Sequence, residues 1–592
     1  MTAARHHARR WGALLGVLAL TVTLGSTTAT ASPSSDRTDR TSRAEAARVD
    51  RVPVPDPQWF DCSSAFGERT SCGTVQLPLD YDQPRKATTE VALLKLSVAD
   101  PSRKIGTLFI NPGGPGGSGV QIAAAASFFL SPEVLERFDV LGMDPRGTNF
   151  SSNVRCFRNL GEQATGLAGL NVPFPVGDAE TAAYVASSKA FGAACSSTGT
   201  PLSGSMSTAE VARDMDVLRR MVGDPKLTYI GFSYGTYLGN VYANLFPDRV
   251  RAVVIDGVLD PLAWAGTNEN ASIPQTQRLK SGEGASKALD EVLARCAAAG
   301  PEYCLLAGLG DPATVYAEIV ASLKGNPILV TDDEGNPLFE ITYAVLISVL
   351  LSDLYAPEGS SWVDQDLTFV HSLQNPTDAD LSALRAAFVT RFEALHRSDS
   401  SPAGAPAGFP YDNSFDAFQS VLCTDGRNPA TAEEWVPASA AADAAAPGFG
   451  PLWTWASAPC ASSTWTVRDE DGYTGPFTRK TAAPVLVVGN YWDPATNYEG
   501  AVAAAGLLPR SSLLSSDSWG HTAYGTSACV TDAVDAYLLT GQTPAAGTVC
   551  TGDVQPFTDP LGSEPGPQSR GAAPSRPLPP VVPPLPGAAP RS

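Results

Sequence analysis

The sequence predicts an α/β fold in which a mostly parallel sheet carries helices on both faces and is interrupted by an inserted, mainly helical cap. Three observations support this prediction. Short apolar, β-rich runs alternate with helical runs up to residue 261. From 262 to 482 that alternation is absent, and helical patterns occur at 287–298, 312–323, 344–354 and 381–395. A buried-strand pattern, APVLVVG, returns at 483–489.

The chain is organised around residues 227–245, which read LTYIGFSYGTYLGNVYANL. The apolar run 227–232 predicts a buried strand, and 234–245 predicts a helix. Between them lies a G-x-S-x-G motif centred on Ser233. In a nucleophile elbow such a serine occupies a sharp strand-to-helix turn with its hydroxyl above the sheet. The motif alone is weak, but its strand and helix context favours this interpretation.

Strands and helices also alternate on either side of the elbow. Strands are predicted at 90–98, 106–110, 138–143 and 251–256. A helical run at 120–129 follows the second strand, and Ser207 and Glu210 form an S-x-x-E capping box that opens a helix before the elbow. This order of strands and helices predicts parallel pairing through crossovers.

A glycine-rich loop at 111–119 follows a predicted strand and has three interpretations. A phosphate cradle would need G-K-[ST], or G-x-G-x-x-G with an acid about 20 residues further on, and the loop has neither. A flexible loop is the second. The third is an oxyanion loop, where bare backbone N–H groups approach a developing negative charge. Because Ser233 lies downstream, we favour the third interpretation.

Both ends of the chain predict segments outside the core. Residues 1–31 resemble a secretory signal, with Arg5, Arg9 and Arg10 before an apolar run at 11–24 and small residues at 29–31. Arg9 and Arg10 could also form a twin-arginine signal. The apolar run is too short to span a bilayer comfortably, and no later segment resembles a membrane span.

The remaining boundaries follow from composition. Residues 32–54 are polar and predicted to be flexible, and 558–592 form a proline-rich tail predicted to be disordered. The tail could contact the cell wall or a partner, or simply be solvated. The first part of the core is predicted at 55–261, the cap at 262–482 and the second part of the core at 483–557.

The charge and the cysteines narrow the class of protein. A net charge of -20 over 592 residues disfavours binding to nucleic acid and to anionic membranes. An even number of cysteines in an exported chain indicates disulfides, and none has C-x-x-C spacing. We expect neighbours in sequence to pair, as Cys62–Cys72, Cys156–Cys195, Cys296–Cys304, Cys423–Cys460 and Cys529–Cys550.

Two candidate partners of Ser233 follow the cap. Asp493 comes just after the predicted strand 483–489, and His521 follows a predicted strand at 511–515. The other histidines after the signal, His371 and His396, lie in the cap. The chain order serine, acid, histidine is that of the α/β hydrolases and differs from two other serine-protease lineages. These three residues are therefore the candidate triad.

Together these motifs give a family resemblance. Gly-Gly-Pro-Gly at 113–116, Asp-Pro-Arg-Gly at 144–147, the elbow, Asp493 and His521 resemble the prolyl-aminopeptidase group of α/β hydrolases. The cysteine-rich cap and the segment 483–550 are most similar to the secreted tripeptidyl aminopeptidases in that group. The resemblance covers about residues 55–555. Many relatives have a histidine before Gly-Gly-Pro-Gly, where this chain has Pro112.

The resemblance implies an α/β-hydrolase fold and a secreted serine exopeptidase that releases short peptides from free N-termini, with tripeptides as the length that the resemblance suggests. The backbone N–H groups of Gly114 and Tyr234 would form the oxyanion hole, and neither metal nor cofactor is implied. Three alternatives stay open: a secreted esterase or acyltransferase, a prolyl aminopeptidase that removes single residues, and a non-catalytic binding protein on the same fold.

An exopeptidase of this kind needs an acid for the substrate's ammonium group, because burying that charge unpaired costs several kcal/mol. Asp425 is the first candidate, since a disulfide at neighbouring Cys423 would hold it rigidly. Glu269 is the second. The alternative is that both are ordinary surface acids of a very acidic protein.

Overall fold

The structure is a computed structural model that describes residues 38–331, 336–375, 381–395 and 411–563. The predicted signal at 1–31, His396 and the predicted tail from 564 onward lie outside the described residues.

One sheet of ten strands forms the core. The strands of the chain are β1 Phe60–Asp61, β2 Thr70–Pro78, β3 Thr88–Leu96, β4 Gly106–Asn111, β5 Phe138–Met143, β6 Leu227–Phe232, β7 Val250–Asp256, β8 Ile328–Thr331, β9 Pro337–Ile341, β10 Val485–Trp492, β11 Ser511–Trp519 and β12 Val549–Thr551. The order is β1-β2-β3-β5-β4-β6-β7-β10-β11-β12, and all pairs from β5 to β12 are parallel. The predicted α/β fold with a mostly parallel sheet is confirmed.

The central strands are buried on both faces, which explains their continuous apolar sequence. In β7, Val253 and Ile255 join the core on one face, whereas Ala252 and Val254 join the core on the other. Each face therefore needs a layer of helices to cover it.

Helices of the core supply those layers. They are α1 Arg43–Asp50, α2 Ser63–Phe66, α3 Gly119–Ala124, α4 Ala126–Phe129, α5 Pro132–Leu135, α6 Leu160–Leu167, α7 Gly177–Ser197, α8 Thr208–Met221 and α9 Tyr234–Leu245, and, after the cap, α20 Tyr498–Leu507 and α21 Ala528–Thr540. Half of the predicted capping box is present, because the Ser207 side chain accepts a hydrogen bond from the Glu210 N–H at the start of α8. The Glu210 side chain instead accepts hydrogen bonds from Arg146 and Arg213.

The chain between β7 and β10 is mainly helical, as predicted. Its helices are α10 Pro261–Ala265, α11 Gln275–Arg278, α12 Ser281–Ala299, α13 Pro312–Leu323, α14 Tyr343–Leu354, α15 Gly359–Gln374, α16 Ser382–Leu395, α17 Ser414–Asp425, α18 Trp435–Ala445 and α19 Phe449–Trp455. The four predicted cap helices are present as α12, α13, α14 and α16. The sequence did not predict the small antiparallel pair β8 and β9. Within the described ranges, every helix is too short or too polar to serve as a membrane span.

The prediction of a flexible segment at 32–54 is wrong for its described residues. Ser42 caps α1, Val49 is fully buried, and Glu45 accepts hydrogen bonds from Arg213 of α8 at 2.9 and 3.1 Å. A polar sequence is ordered here because its charges find opposite charges on the folded core, which local composition does not reveal.

The predicted cysteine pairing is confirmed at all five pairs: Cys62–Cys72, Cys156–Cys195, Cys296–Cys304, Cys423–Cys460 and Cys529–Cys550. Each bridge closes a loop of 8 to 39 residues, and such loops typically stabilise a fold by about 2–4 kcal/mol each.

Arg146 of the Asp-Pro-Arg-Gly motif is a structural residue at the centre of a buried ionic cluster. Its side chain is fully buried and donates to Asp214 at 2.6 and 2.9 Å and to Glu210 at 3.1 Å. It also donates to the backbone carbonyls of Pro78 and Leu79. The motif therefore ties the loop after β5 to α8 and to the end of β2.

We expect Arg146→Met to lower the free energy of unfolding by about 3–5 kcal/mol, because it leaves the Asp214 carboxylate buried without its ionic partner. Urea titration under non-reducing conditions measures the loss. The matched control is Arg103→Met, which breaks an ion pair with Glu136 whose side chains are 52% and 49% exposed. That control should cost about 0.2–1 kcal/mol. Equal losses in the two variants would contradict the assignment of Arg146 as a buried structural anchor.

Candidate active site

Ser233 lies on a strained turn between β6 and α9. Its φ and ψ angles are 56° and -126°, a left-handed conformation that costs a side-chain-bearing residue about 1–3 kcal/mol. In the run 227–247, all of which the structure describes, Ser233 alone is not buried. The backbone therefore lifts one hydroxyl out of an otherwise closed core, as a nucleophile elbow does.

Asp493 and His521 lie in contact after neighbouring strands. Nδ1 of His521 is 2.9 Å and 3.0 Å from the two carboxylate oxygens of Asp493. Asp493 also accepts hydrogen bonds from the N–H groups of Ala495, Thr496 and Thr522 and from the Thr496 hydroxyl. The structure thus joins the acid and the histidine that the sequence predicted.

Electrostatics keep Asp493 ionised. Burial by itself would raise its pKa, but the His521 ring and the N–H donors of Thr496 and Ala495 outweigh burial and hold the pKa below its ordinary value. Nε2 of His521 is buried and has no hydrogen-bond partner among the described residues. The imidazole ring of His521 thus has a carboxylate bound at Nδ1 and leaves Nε2 without a partner. A histidine that acts as a general base has this arrangement.

Asp256, at the end of β7, links the elbow to the histidine loop. Its backbone carbonyl accepts a hydrogen bond from the Ser233 N–H at 3.0 Å. Its carboxylate accepts from the N–H groups of Ala523 at 3.1 Å and Tyr524 at 2.8 Å, just after His521. Sequence reasoning missed this role, although an acid ending the strand beside the elbow strand was a usable signal.

The glycine-rich loop lies directly against the elbow. Gly113 and Gly114 have φ angles of 95° and 108°. A Cβ at Gly113 would lie 2.5 Å from the Phe232 carbonyl oxygen, 2.7 Å from Ser233 Cβ and 3.0 Å from Tyr234 N. Only glycine lets the backbone come this close. The loop therefore borders Ser233 with main chain alone, as an oxyanion loop requires.

Asp144 of the Asp-Pro-Arg-Gly motif holds the far side of that loop. Its carboxylate accepts from the Ser118 hydroxyl at 2.7 Å, the Val120 N–H at 3.0 Å and the Phe150 N–H at 2.9 Å. Burial raises the pKa of Asp144 to about 6, although these donors oppose that rise. The Asn149 amide adds a hydrogen bond to the Gly116 carbonyl at 2.8 Å. The conformation of the glycine loop is thus determined by its neighbours in the loop that follows β5.

The cap touches the site on two sides. The ring of Tyr355, which follows α14, packs edge-on against the His521 ring at 5.1 Å between centroids, and its carbonyl accepts from the His521 N–H at 2.9 Å. On the other side, a Cβ at Gly116 would lie 3.6 Å from the Phe418 N of α17. Residues of the cap therefore border the site at His521 and at the glycine-rich loop.

The two candidate acids for the substrate amine differ in surroundings. Asp425 is buried at the end of α17 and accepts from the Thr208 N–H at 2.7 Å, the Thr208 hydroxyl at 2.6 Å and the Trp264 indole at 3.0 Å. Burial raises its pKa to about 7. The Thr208 hydroxyl is also hydrogen-bonded to the hydroxyl of Tyr234, the residue after Ser233. Thr208 therefore connects Asp425 to the elbow. Glu269 is exposed in a turn after α10.

We expect Gly113→Ala to lower kcat/KM by roughly 100-fold or more, since the new methyl group would displace the Ser233 turn. Gly67→Ala is the control, because Gly67 has nearly the same φ of 96° but no atom of the described residues lies within 4 Å of its added Cβ. Both variants place an alanine at nearly the same positive φ. A comparable loss of kcat/KM in the two would show that strain, and not the contact with the elbow, causes the effect.

We also expect Asp256 to make the fold less stable as the pH rises. Burial raises its pKa from 3.8 to about 6, although hydrogen bonds from the N–H groups of Tyr524 and Ala523 oppose that rise. A carboxyl group with a raised pKa stabilises the fold fully below its unfolded pKa of about 4, and that contribution is lost as the pH rises through about 6. The difference corresponds to roughly 3 kcal/mol.

Asp256→Asn removes this titration, so its free energy of unfolding should fall less between pH 4 and pH 7 than that of the unmodified protein. Chemical denaturation at several pH values measures the two slopes, and a constant offset between the proteins is ignored. Parallel slopes would contradict the assignment.

Comparison with known proteins agrees with this site. The family described as "TAP-like protein" matches residues 445–550, and the family described as "alpha/beta hydrolase fold" matches residues 106–279. A tripeptidyl aminopeptidase from Streptomyces lividans is 30% identical over 515 residues, covering 84% of this chain and 87% of that protein. Serine protease Hip1 from Mycobacterium tuberculosis is 30% identical over 507 residues, covering 83% of this chain and 90% of that protein.

A third relative, named carboxylesterase B, from Mycobacterium tuberculosis, is 29% identical over 512 residues, covering 84% of this chain and 91% of that protein. All three alignments extend over the core and the cap, so the similarity is not limited to the elbow. The chain therefore belongs to the TAP-like family of α/β-hydrolase-fold serine peptidases.

Proposed function

We propose that this chain is an extracellular serine exopeptidase that releases tripeptides from the free N-termini of peptides. The observation that carries the proposal is the strained turn at Ser233 on the same sheet edge as the hydrogen-bonded pair Asp493 and His521. The tripeptide length rests on the printed name of the Streptomyces lividans relative.

The proposed chemistry is acyl transfer through Ser233. His521 Nε2 takes the proton of the Ser233 hydroxyl as its oxygen attacks the scissile carbonyl carbon. The same imidazole then protonates the leaving amine, and the C–N bond breaks to give an acyl-enzyme. Water, deprotonated by His521, attacks the ester, and the released proton returns to Ser233. Asp493 orients the ring and stabilises the imidazolium in both steps.

The negative charge that develops on the carbonyl oxygen needs donors that are already in place. We assign this role to the N–H groups of Tyr234 and Gly114. Tyr234 is the first residue of α9, so its N–H points along the positive end of a helix dipole. Gly114 follows the glycine that lies against the elbow. Losing one such donor typically costs about 2.7–4 kcal/mol of barrier.

Export is part of the proposal. Five disulfides pair all ten cysteines, which fits an oxidising compartment, and the first 31 residues have the pattern of a secretory signal. The proposed substrates are extracellular peptides with a free N-terminus. Contact of the proline-rich tail with the cell wall is a separate hypothesis.

An esterase is the second candidate function, favoured by the relative named carboxylesterase B. The same Ser233, His521 and Asp493 would then act on an ester, whose leaving alcohol departs more easily than an amine. The two functions differ in whether a free amine on the substrate matters.

Asp425 and Glu269 stay candidates for binding that amine. Asp425 already accepts hydrogen bonds from Thr208 and Trp264, so an ammonium group would be a further donor to a fixed carboxylate. Its Asn variant should therefore lower the melting temperature whichever role it has. Only an amine-binding role changes the preference for free over blocked substrates.

We expect a free tripeptide aryl amide to be cleaved with a kcat/KM at least about 100-fold above that of its N-acetyl form, because acetylation removes the charge that an acid in the cap binds. Ser233→Ala is the inactive control. Glu269→Gln and Asp425→Asn, measured with both substrates, identify the acid as the variant in which the ratio collapses. Equal kcat/KM values for the two substrates would contradict the exopeptidase proposal and favour an esterase or endopeptidase.

A further inference from the structure

We propose that the stacked pair Trp492 and Trp519, covered by Lys287 and Arg295 of cap helix α12, positions Asp493 and His521 for catalysis. This inference rests on the proposed function, because it takes those two residues as members of the triad. It assigns a role in the reaction to four residues outside the proposed triad and oxyanion hole.

Each tryptophan lies one or two residues before a member of the acid–histidine pair. Trp492 ends β10 next to Asp493, and Trp519 ends β11 two residues before His521. The two indoles are stacked, with centroids 5.2 Å apart and planes at 11°. The relative position of the two rings therefore sets the relative position of the two strand ends.

The stack lies where the strand pairing is irregular. β10 and β11 are in regular register up to Asn490 and Ser516, and the next pair is Trp492 with Trp519, so β11 carries one extra residue. A bulge disrupts the ladder of backbone hydrogen bonds at that point. The stacked indoles therefore hold the last residues of β10 and β11 together where the backbone hydrogen bonds are interrupted.

Hydrogen bonds orient both indoles. The Trp492 N–H donates to the Asp517 carboxylate at 2.7 Å, and the Trp519 N–H donates to Gln555 Oε1 at 3.2 Å. Arg295 donates to the same Gln555 oxygen at 3.0 Å. The rings are therefore fixed in rotation as well as in spacing.

Helix α12 of the cap lies against Asp493 and the two stacked tryptophans. A Cβ at Gly284 would lie 3.1 Å from the Asp493 carbonyl oxygen, so the helix backbone lies against the triad acid. Further along, Lys287 Nζ is 5.0 Å from the Trp492 ring centroid. The Arg295 guanidinium carbon is 5.0 Å from the Trp519 centroid and 5.9 Å from that of Trp492.

Cations at these distances are attracted to the faces of indole rings. Since α12 belongs to the cap, its two cations connect the position of the cap to the spacing of Asp493 and His521. A displacement of about 1 Å in a catalytic group can cost up to 100-fold in rate, so a modest loosening of the stack is measurable.

The test removes the two cations but keeps their aliphatic stems, in the double variant Lys287→Met and Arg295→Met. Lys287 is exposed and Arg295 is 30% exposed, so the fold tolerates both changes. We expect kcat on a free tripeptide aryl amide to fall about tenfold, with KM changed by less than about twofold. The double variant Lys287→Arg and Arg295→Lys, which keeps both charges, should restore kcat.

A second variant, Trp492→Leu, tests the stack itself. It should lose the exciton signal that two stacked indoles give in circular dichroism, together with a similar loss of kcat. Lys324→Met is the matched control, because it removes a cation 4.7 Å from the ring of Tyr343 elsewhere in the cap. That control should keep kcat and the exciton signal.

The inference fails if the double Met variant keeps the kcat of the unmodified protein, or if its KM rises at unchanged kcat, which would make the cations part of the substrate cleft. It also fails if Trp492→Leu loses the exciton signal but keeps kcat. An inactive Ser233→Ala measured alongside shows that such a failure concerns the stack and not the proposed function. An active Ser233→Ala would overturn both.

Discussion

The carboxyl end of β7 holds the two halves of the site together. Asp256 binds the Ser233 N–H through its backbone carbonyl and the N–H groups after His521 through its carboxylate. The elbow and the histidine loop come from segments almost 300 residues apart, with the whole cap inserted between them. Their alignment therefore depends on one strand end that touches both, and on the surrounding buried core that compensates the strain at Ser233.

The cap is part of the site and more than a cover. Tyr355 contacts the ring and the backbone of His521, α17 lies over the glycine loop, and α12 lies against Asp493. Asp425 fastens α17 to α8 and α10 through Thr208 and Trp264. An enzyme that measures peptide length from an N-terminus needs such a wall at a constant distance from the nucleophile, because the wall determines how many residues fit.

Local pattern was sufficient for much of this architecture. The strand and helix around Ser233 begin and end where the apolar run and the motif predicted, because a buried strand and an elbow leave a distinctive local sequence. The pairing of cysteines also followed from short spacing. In contrast, the order of α1 depends on Arg213, 168 residues away from Glu45. The second role of Asp256 and the hydrogen bonds of Asp425 likewise depend on partners that only the folded chain supplies.

Covalent labelling tests whether Ser233 is the nucleophile. The full-length protein is treated with an aryl fluorophosphonate, residual turnover is followed, and the modified residue is located by peptide mapping. We expect one adduct per chain on Ser233, with turnover lost in proportion to labelling. Turnover that persists after complete labelling of Ser233, or inactivation with the adduct on another residue, would show that Ser233 is not the nucleophile.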